Sequence, residues 1–298
     1  MKREELVEMR FSAQFVKQVF KVVNMKKLVG ANMVTPPKRR DFTTRRLERS
    51  EWPKKTELIQ DSPLITLFPH HSTKRHVFYL HGGGYALEAS PFHKEIQEGM
   101  VAAGLKVSYF DYPLAPENTA EITLSRTLEA FGRLSFLYPD DRFYFFGDSA
   151  GGGLALSVAQ QLRNLNQPHR PLKLALVSPW LDLTLQDPRV AALQAEDVLL
   201  ERDRLAEAGK NYAGNFSLED PRVSPLFGDM KDLGELFVIS GTADILHPDV
   251  LCLQERVAKT TGTHLHLESV PGMMHDFVVY PLKESEPYRN QIQEFYLQ

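Results

Sequence analysis

One stretch of about twenty residues constrains this chain more than any other. The apolar run Phe143–Phe146 passes directly into Gly147-Asp148-Ser149-Ala150-Gly151-Gly152, which opens onto the helical pattern LALSVAQQL. A strand that becomes a helix within six residues turns sharply, and the glycines remove side chains that would collide as the helix folds back. Such a turn belongs to a strand buried on both faces and followed by a covering helix.

The same alternation runs through most of the 298 residues. Apolar runs predict strands near Leu64–Phe68, Val77–Leu80, Val107–Phe110, Arg142–Phe146, Leu172–Val177, Leu236–Ile239 and His264–Ser269. Periodic segments predict helices near 92–103, 120–137, 150–166, 249–261 and 284–297. The class is therefore α/β, with a mostly parallel sheet covered on both faces, and residues just after strands are where ligands bind. Three segments break the rhythm. Leu6, Phe11, Phe15, Val16, Val19 and Val23 predict an amphipathic helix over about 4–28. The basic run PPKRRDFTTRRLERSEWPKK reads as an exposed connection. The charged, partly helical segment from Leu185 to Met230 lacks an apolar strand and reads as an insertion, packing with the N-terminal helix as a lid. The expected organisation is an N-terminal cap part (1–50), a core (51–184 and 229–298) and a cap insertion (185–228).

Composition closes off several functions. Lys and Arg number 35 against 38 Asp and Glu, which leaves no electrostatic footprint for a nucleic-acid backbone. No stretch approaches the length and apolarity of a membrane span, and the first residues lack the apolar run of a secretory signal. The single cysteine, Cys252, forbids an intrachain disulfide, and a reducing, cytoplasmic setting is expected. No HExxH or paired CxxC is present, so no metal is expected.

The candidate chemistry is that of an activated serine. G-x-S-x-G between strand and helix presents Ser149 at a strained turn, with the helix start pointing N–H groups at the reaction centre. The bland alternative is a glycine-rich turn whose serine only caps the helix. After Val77–Leu80 comes His81-Gly82-Gly83-Gly84-Tyr85, a costly glycine run that lets backbone N–H groups converge on an oxyanion. A serine needs a base, and the base needs an orienting acid, each in a loop after a strand. Asp244 follows Leu236–Ile239 and lies 95 residues after Ser149; His275 follows His264–Ser269, 31 residues further on. Asp249 competes for the acid role but falls in the next helix. Asp276 reads as a helix cap pointing away from its neighbour, and Asp197 lies in the insertion. His70, His71, His264 and His266 read as solvated surface groups. Met273 and Met274 read as pocket lining or core filler, and the basic connection as solvated.

These residues resemble the hormone-sensitive-lipase group of α/β-hydrolases, the bacterial family IV carboxylesterases. The matching pieces are HGGGY at 81–85, YPLAPE at 112–117, GDSAGG at 147–152, SPWLDLT at 178–184, SPL at 224–226, GTADIL at 241–246 and GMMHDF at 272–277. The resemblance implies an eight-stranded α/β-hydrolase core under a helical cap. It also implies Ser149, Asp244 and His275 as catalytic triad, the N–H groups of Gly83, Gly84 and Ala150 as oxyanion hole, and no cofactor. The expected activity is hydrolysis of small acyl esters through an acyl-enzyme. An amidase, arylformamidase or carbohydrate deacetylase would use the same residues. A non-catalytic small-molecule binder is the contrasting reading, and the presence of His275 argues against it. A homodimer is left open.

Overall fold

The computed structural model describes residues 11–298. Its core is one eight-stranded sheet in the order β1-β2-β4-β3-β5-β6-β7-β8. The strands are β1 (Lys54–Ile59), β2 (Ser62–Leu67), β3 (Arg75–Leu80), β4 (Lys106–Phe110), β5 (Arg142–Asp148), β6 (Lys173–Val177), β7 (Gly234–Gly241) and β8 (Thr263–Val270). β1 and β2 pair antiparallel with each other, and β2 with β4; every remaining pairing is parallel.

The parallel strands need crossovers, and helices supply them: α4 (Pro91–Ala102), α5 (Ala120–Leu137), α6 (Ser149–Asn164) and α9 (His247–Val257), with α10 (Glu286–Leu297) closing the chain. The inner strands carry helices on both faces, so their residues are apolar at consecutive positions rather than alternating. Phe78, Phe110, Phe131 and Phe145 are fully buried, and the Phe131 and Phe145 rings meet edge-on at 5.0 Å. Chain order reverses around β3, which has β4 on one side and β5 on the other. A crevice opens at such a reversal, beyond the carboxyl ends of the strands.

β1 is a strand that the sequence reading did not expect, its first two residues, Lys54 and Lys55, being the end of the basic run read as a connection. Its residues KKTELI are mostly exposed, because it is the sheet edge, where charged side chains block pairing with another chain. The same basic run also contains a short helix, α3 (Phe42–Glu48).

The predicted N-terminal helix is two helices, α1 (Ala13–Val22) and α2 (Met25–Val34), broken at Asn24, whose φ of 51° lies in the left-handed region. The start of the predicted helix, including Leu6, lies outside the described residues. The expected apolar stripe is largely solvated in α1, where Phe15 and Val22 are exposed, while Val16 and Phe20 pack against the core. The insertion folds as α7 (Pro188–Leu193) and α8 (Arg202–Ala213). α2 packs on α8. The approach is close at Gly30, where a Cβ would sit 2.9 Å from Arg204 Cβ. Lys26 Nζ donates to the Gln194 carbonyl at 2.5 Å, tying the same two segments together.

Candidate active site

Ser149 stands at the junction of β5 and α6 with φ at 49°. That strained angle persists because its surroundings over-determine it. A Cβ on Gly147 would lie 2.3 Å from the Gly151 carbonyl oxygen, and one on Gly151 would lie 2.2 Å from that of Leu80. Only glycine fits at either position, so the sequence motif is a direct consequence of backbone crowding. The N–H of Ala150 sits in the first turn of α6, where backbone donors lack intrahelical partners.

Ser149 Oγ lies 3.0 Å from His275 Nε2, and His275 Nδ1 lies 2.8 Å from Asp244 Oδ2. With Nδ1–H donated to Asp244, Nε2 is left to accept the serine proton. Asp244 Oδ1 in turn accepts the Leu246 N–H at 2.8 Å, which fixes the carboxylate. All three residues are at least nine-tenths buried. Three segments distant in sequence therefore meet at the carboxyl ends of β5, β7 and β8.

The glycine loop after β3 is anchored to the same turn. Gly82 N–H donates to Asp148 Oδ2 at 2.9 Å, and His93 Nε2 meets that oxygen at 3.0 Å. Tyr112 Oη donates to the His81 carbonyl at 2.6 Å, and the two rings stack at 4.4 Å. Gly83 is held by its carbonyl, which accepts from Leu87 N–H at 2.8 Å, and Gly83 lines the cavity with Ser149. Gly84 is buried against Met33 of α2.

A cavity of about 150 Å³ opens over Ser149. Val29 and Met33 of α2, Leu199 and Leu200 of the insertion, and Asp148, His275 and Asp276 contribute its walls. A larger groove of about 720 Å³ shares Leu87, Glu88 and Ser90 with it.

Three aspartates depart from, or add to, the sequence reading. Asp249 is buried within α9 and accepts from the N–H groups of Leu181 and Asp182 at 3.3 and 3.1 Å, so it braces a loop. Asp276 is not a helix cap pointing away: its Oδ2 lies 3.2 Å from His275 Nε2, because a φ of 52° turns the chain back on itself. Asp197, set aside as part of the insertion, is buried; Oδ2 accepts from Ile245 N–H at 3.0 Å and Oδ1 from Leu199 and Leu200. Asp148, His93 and Tyr112 were missed. Asp148 adjoins the serine, but nothing in the sequence says that it grips the glycine loop 66 residues earlier.

The electrostatics follow from this packing. Burial works against charge on His275, yet Asp244 and then Asp276 hold its pKa well above the ordinary histidine value. Burial lifts Asp276 to about 6, against the pull of His275. Burial and then the charge of Asp244 lift Asp197 to about 6. His70, His71, His264 and His266 are exposed, as expected. Met274 is core and Met273 packs against it; neither is among the cavity residues. Among the described residues no cluster of three His, Cys, Asp or Glu side chains is arranged to hold a metal ion, and no helix is long and apolar enough to cross a membrane.

A family model described as the α/β-hydrolase fold matches residues 77–279. The chain belongs to that family. The matched span runs from β3 to just beyond His275 and so takes in the whole cluster. Among curated relatives, this hydrolase is 31% identical over 209 residues to an acetyl-hydrolase of Streptomyces hygroscopicus, covering 70% of this chain and 69% of the relative. Among solved structures, it matches a putative esterase from Staphylococcus aureus at 26% identity with a TM-score of 0.78, covering 96% of this chain and 93% of the other. It also matches a hormone-sensitive lipase from a metagenome library at 25% identity and a TM-score of 0.78, over 97% and 98% of the two chains.

Proposed function

We propose that this chain is a serine carboxylesterase that hydrolyses small acyl esters through an acyl-enzyme. The observation that carries this reading is the unbroken hydrogen-bonded line from Ser149 through His275 to Asp244, opening on a cavity whose rim carries the glycine loop. Ser149 Oγ attacks the ester carbonyl carbon while His275 Nε2 takes its proton. The N–H groups of Gly83, Gly84 and Ala150 receive the negative charge on the carbonyl oxygen. The carbon–oxygen bond to the alcohol then breaks, the leaving oxygen takes the proton from Nε2, and water repeats the sequence to release the acid. Asp244 keeps the imidazole in the required tautomer and orientation.

Size supports small substrates. A cavity of about 150 Å³ holds roughly five water molecules' share of liquid volume, which suits a short acyl group. The adjoining groove of about 720 Å³ takes the larger part of the ester. α2 and the insertion act together as a cap over this cavity, since both segments contribute its walls and are bonded to each other. The single cysteine supports a reducing, cytoplasmic setting.

The test is Ser149→Ala with p-nitrophenyl acetate as substrate. A loss of kcat on the order of 10⁴-fold or more is expected, with the fold retained by circular dichroism and covalent labelling by a fluorophosphonate abolished. Near-wild-type turnover in that variant ends the proposal.

A further inference from the structure

His275 is approached by two carboxylates, one at each ring nitrogen. Asp244 takes Nδ1, and Asp276 Oδ2 reaches Nε2 at 3.2 Å, the same nitrogen that Ser149 Oγ reaches at 3.0 Å. The backbone makes this possible. Asp276 has φ at 52°, and its N–H donates to Ser178 Oγ at 3.1 Å, so the side chain folds back over the ring of its own predecessor. Its other oxygen, Oδ1, is buried with no hydrogen-bond partner, and both residues line the cavity. Among the described residues, the carboxylate's polar contact is with His275.

That arrangement has a chemical consequence. When Nε2 is unprotonated it has no hydrogen for Asp276, and the lone pairs of nitrogen and oxygen oppose each other. Once Nε2 has taken the serine proton, Asp276 has a hydrogen to accept, alongside the oxygen of the leaving group. We propose that Asp276 is a positioning residue for the base: acting through His275, it steadies the imidazolium at Nε2 and sets the pH at which that nitrogen becomes free to accept a proton. Asp276 neither gains nor loses a proton in the cycle. The proton passes from Ser149 Oγ to Nε2 as the Oγ–carbon bond forms, and from Nε2 to the leaving oxygen as the ester bond breaks.

Other groups share the field. Asp244 and Asp197 face His275 from the loop after β7 and from the insertion. Asp148, at the end of β5, and Tyr280 face Asp276, and His93 Nε2 of α4 meets Asp148 Oδ2 at 3.0 Å. Asp276 differs from these in touching Nε2 itself, and its charge adds to that of Asp244 in holding His275 protonated to higher pH.

The inference rests on the esterase reading, and its test separates the two. Asp276→Asn keeps the shape and tolerates the left-handed backbone, so the fold is expected to survive. The acid limb of the kcat/KM profile is expected to fall by about one pH unit or more, the usual effect of losing an opposite charge in contact. Plateau kcat is expected to drop roughly tenfold, the worth of one hydrogen bond to a charged group. Asp276→Gly, which suits the same backbone angle, serves as the second variant and should move the limb in the same direction. If both variants fold, still label at Ser149 with a fluorophosphonate, and keep the wild-type limb, the role assigned to Asp276 is wrong while the esterase reading stands. Failure of labelling in the wild-type protein would overturn the esterase reading itself.

Discussion

Among the described residues, two Ser–His–Asp lines join a serine to Nε2 and an aspartate to Nδ1, and only one of the two opens on a cavity; a third, Ser90–His93–Asp148, uses the ring nitrogens the other way round. In the first, Ser149, His275 and Asp244 are linked at 3.0 and 2.8 Å. In the second, Ser108 Oγ lies 2.7 Å from His76 Nε2, and His76 Nδ1 lies 2.9 Å from Asp141 Oδ2. Residue types, atoms and distances nearly coincide. The settings do not. Ser108 sits inside β4 with ordinary backbone angles and zero exposure, bonded also to Thr66 Oγ1 at 2.7 Å. Ser149 sits past the end of its strand, strained, facing a cavity and a glycine loop. Lys106 also pairs with Asp141, and burial, with the charge of Lys106 behind it, pushes His76 down to about 4 against the pull of Asp141. His275 has no cation beside it among the groups that set its charge, and two carboxylates push it up. The comparison teaches that a triad is defined by what surrounds it: a strand end, a room for substrate and donors for an oxyanion.

The same substitution in each line gives the sharpest contrast. Asp244→Asn is expected to lower kcat by about 10⁴-fold, because the histidine loses its tautomer. Asp141→Asn is expected to leave turnover near wild type while lowering the thermal midpoint. Equal losses of activity in the two variants would break the distinction. A smaller effect is expected at the second serine. Ser108→Ala removes the shared partner of His76 and Thr66 and should destabilise by about 1–2 kcal/mol, with fluorophosphonate labelling unchanged. Loss of labelling there would mean that the wrong serine has been assigned.

The smallest effect lies in the pH dependence of stability. His76 is neutral in the folded protein, with its pKa lowered to about 4 by burial and Lys106, whereas an unfolded histidine titrates near 6.5. The unfolded chain therefore binds the extra proton first. The stabilisation from His76 is full above about pH 6.5 and drains away as pH falls toward 4. His81, also lowered to about 4 by burial, contributes in the same sense. His275 has the opposite sign: its raised pKa gives stability that is present at low pH and lost as pH rises. The urea midpoint measured from pH 7 to 4.5 should decline less steeply in His76→Gln than in wild type. Identical slopes would show that His76 is not the buried neutral group described.

Much of this was legible in the chain itself, for identifiable reasons. β3, β5, β6 and β7 were readable because strands buried on both faces must be apolar throughout, and the strand-end positions of Ser149 and Asp244 followed from them; His275 followed from β8, an edge strand where Leu265 and Leu267 alternate with exposed His264 and His266. β1 was not readable, since an exposed edge strand carries the same charged residues as a loop. The break at Asn24 was hidden because a left-handed residue interrupts a helix without changing its apolar period.

The amino-acid order by itself determined the class of fold, the turn that presents Ser149, and the loops able to deliver an acid and a base, because these depend on local crowding and on hydrophobic runs. The tertiary structure alone decided which carboxylates reach His275, since Asp249 braces a distant loop while Asp276 bends back onto Nε2. It alone placed Asp148 on Gly82, and it alone separated the Ser149 line from the Ser108 line. Those outcomes turn on distances of a few ångströms between segments far apart in the chain, and no pattern along the sequence encodes such distances.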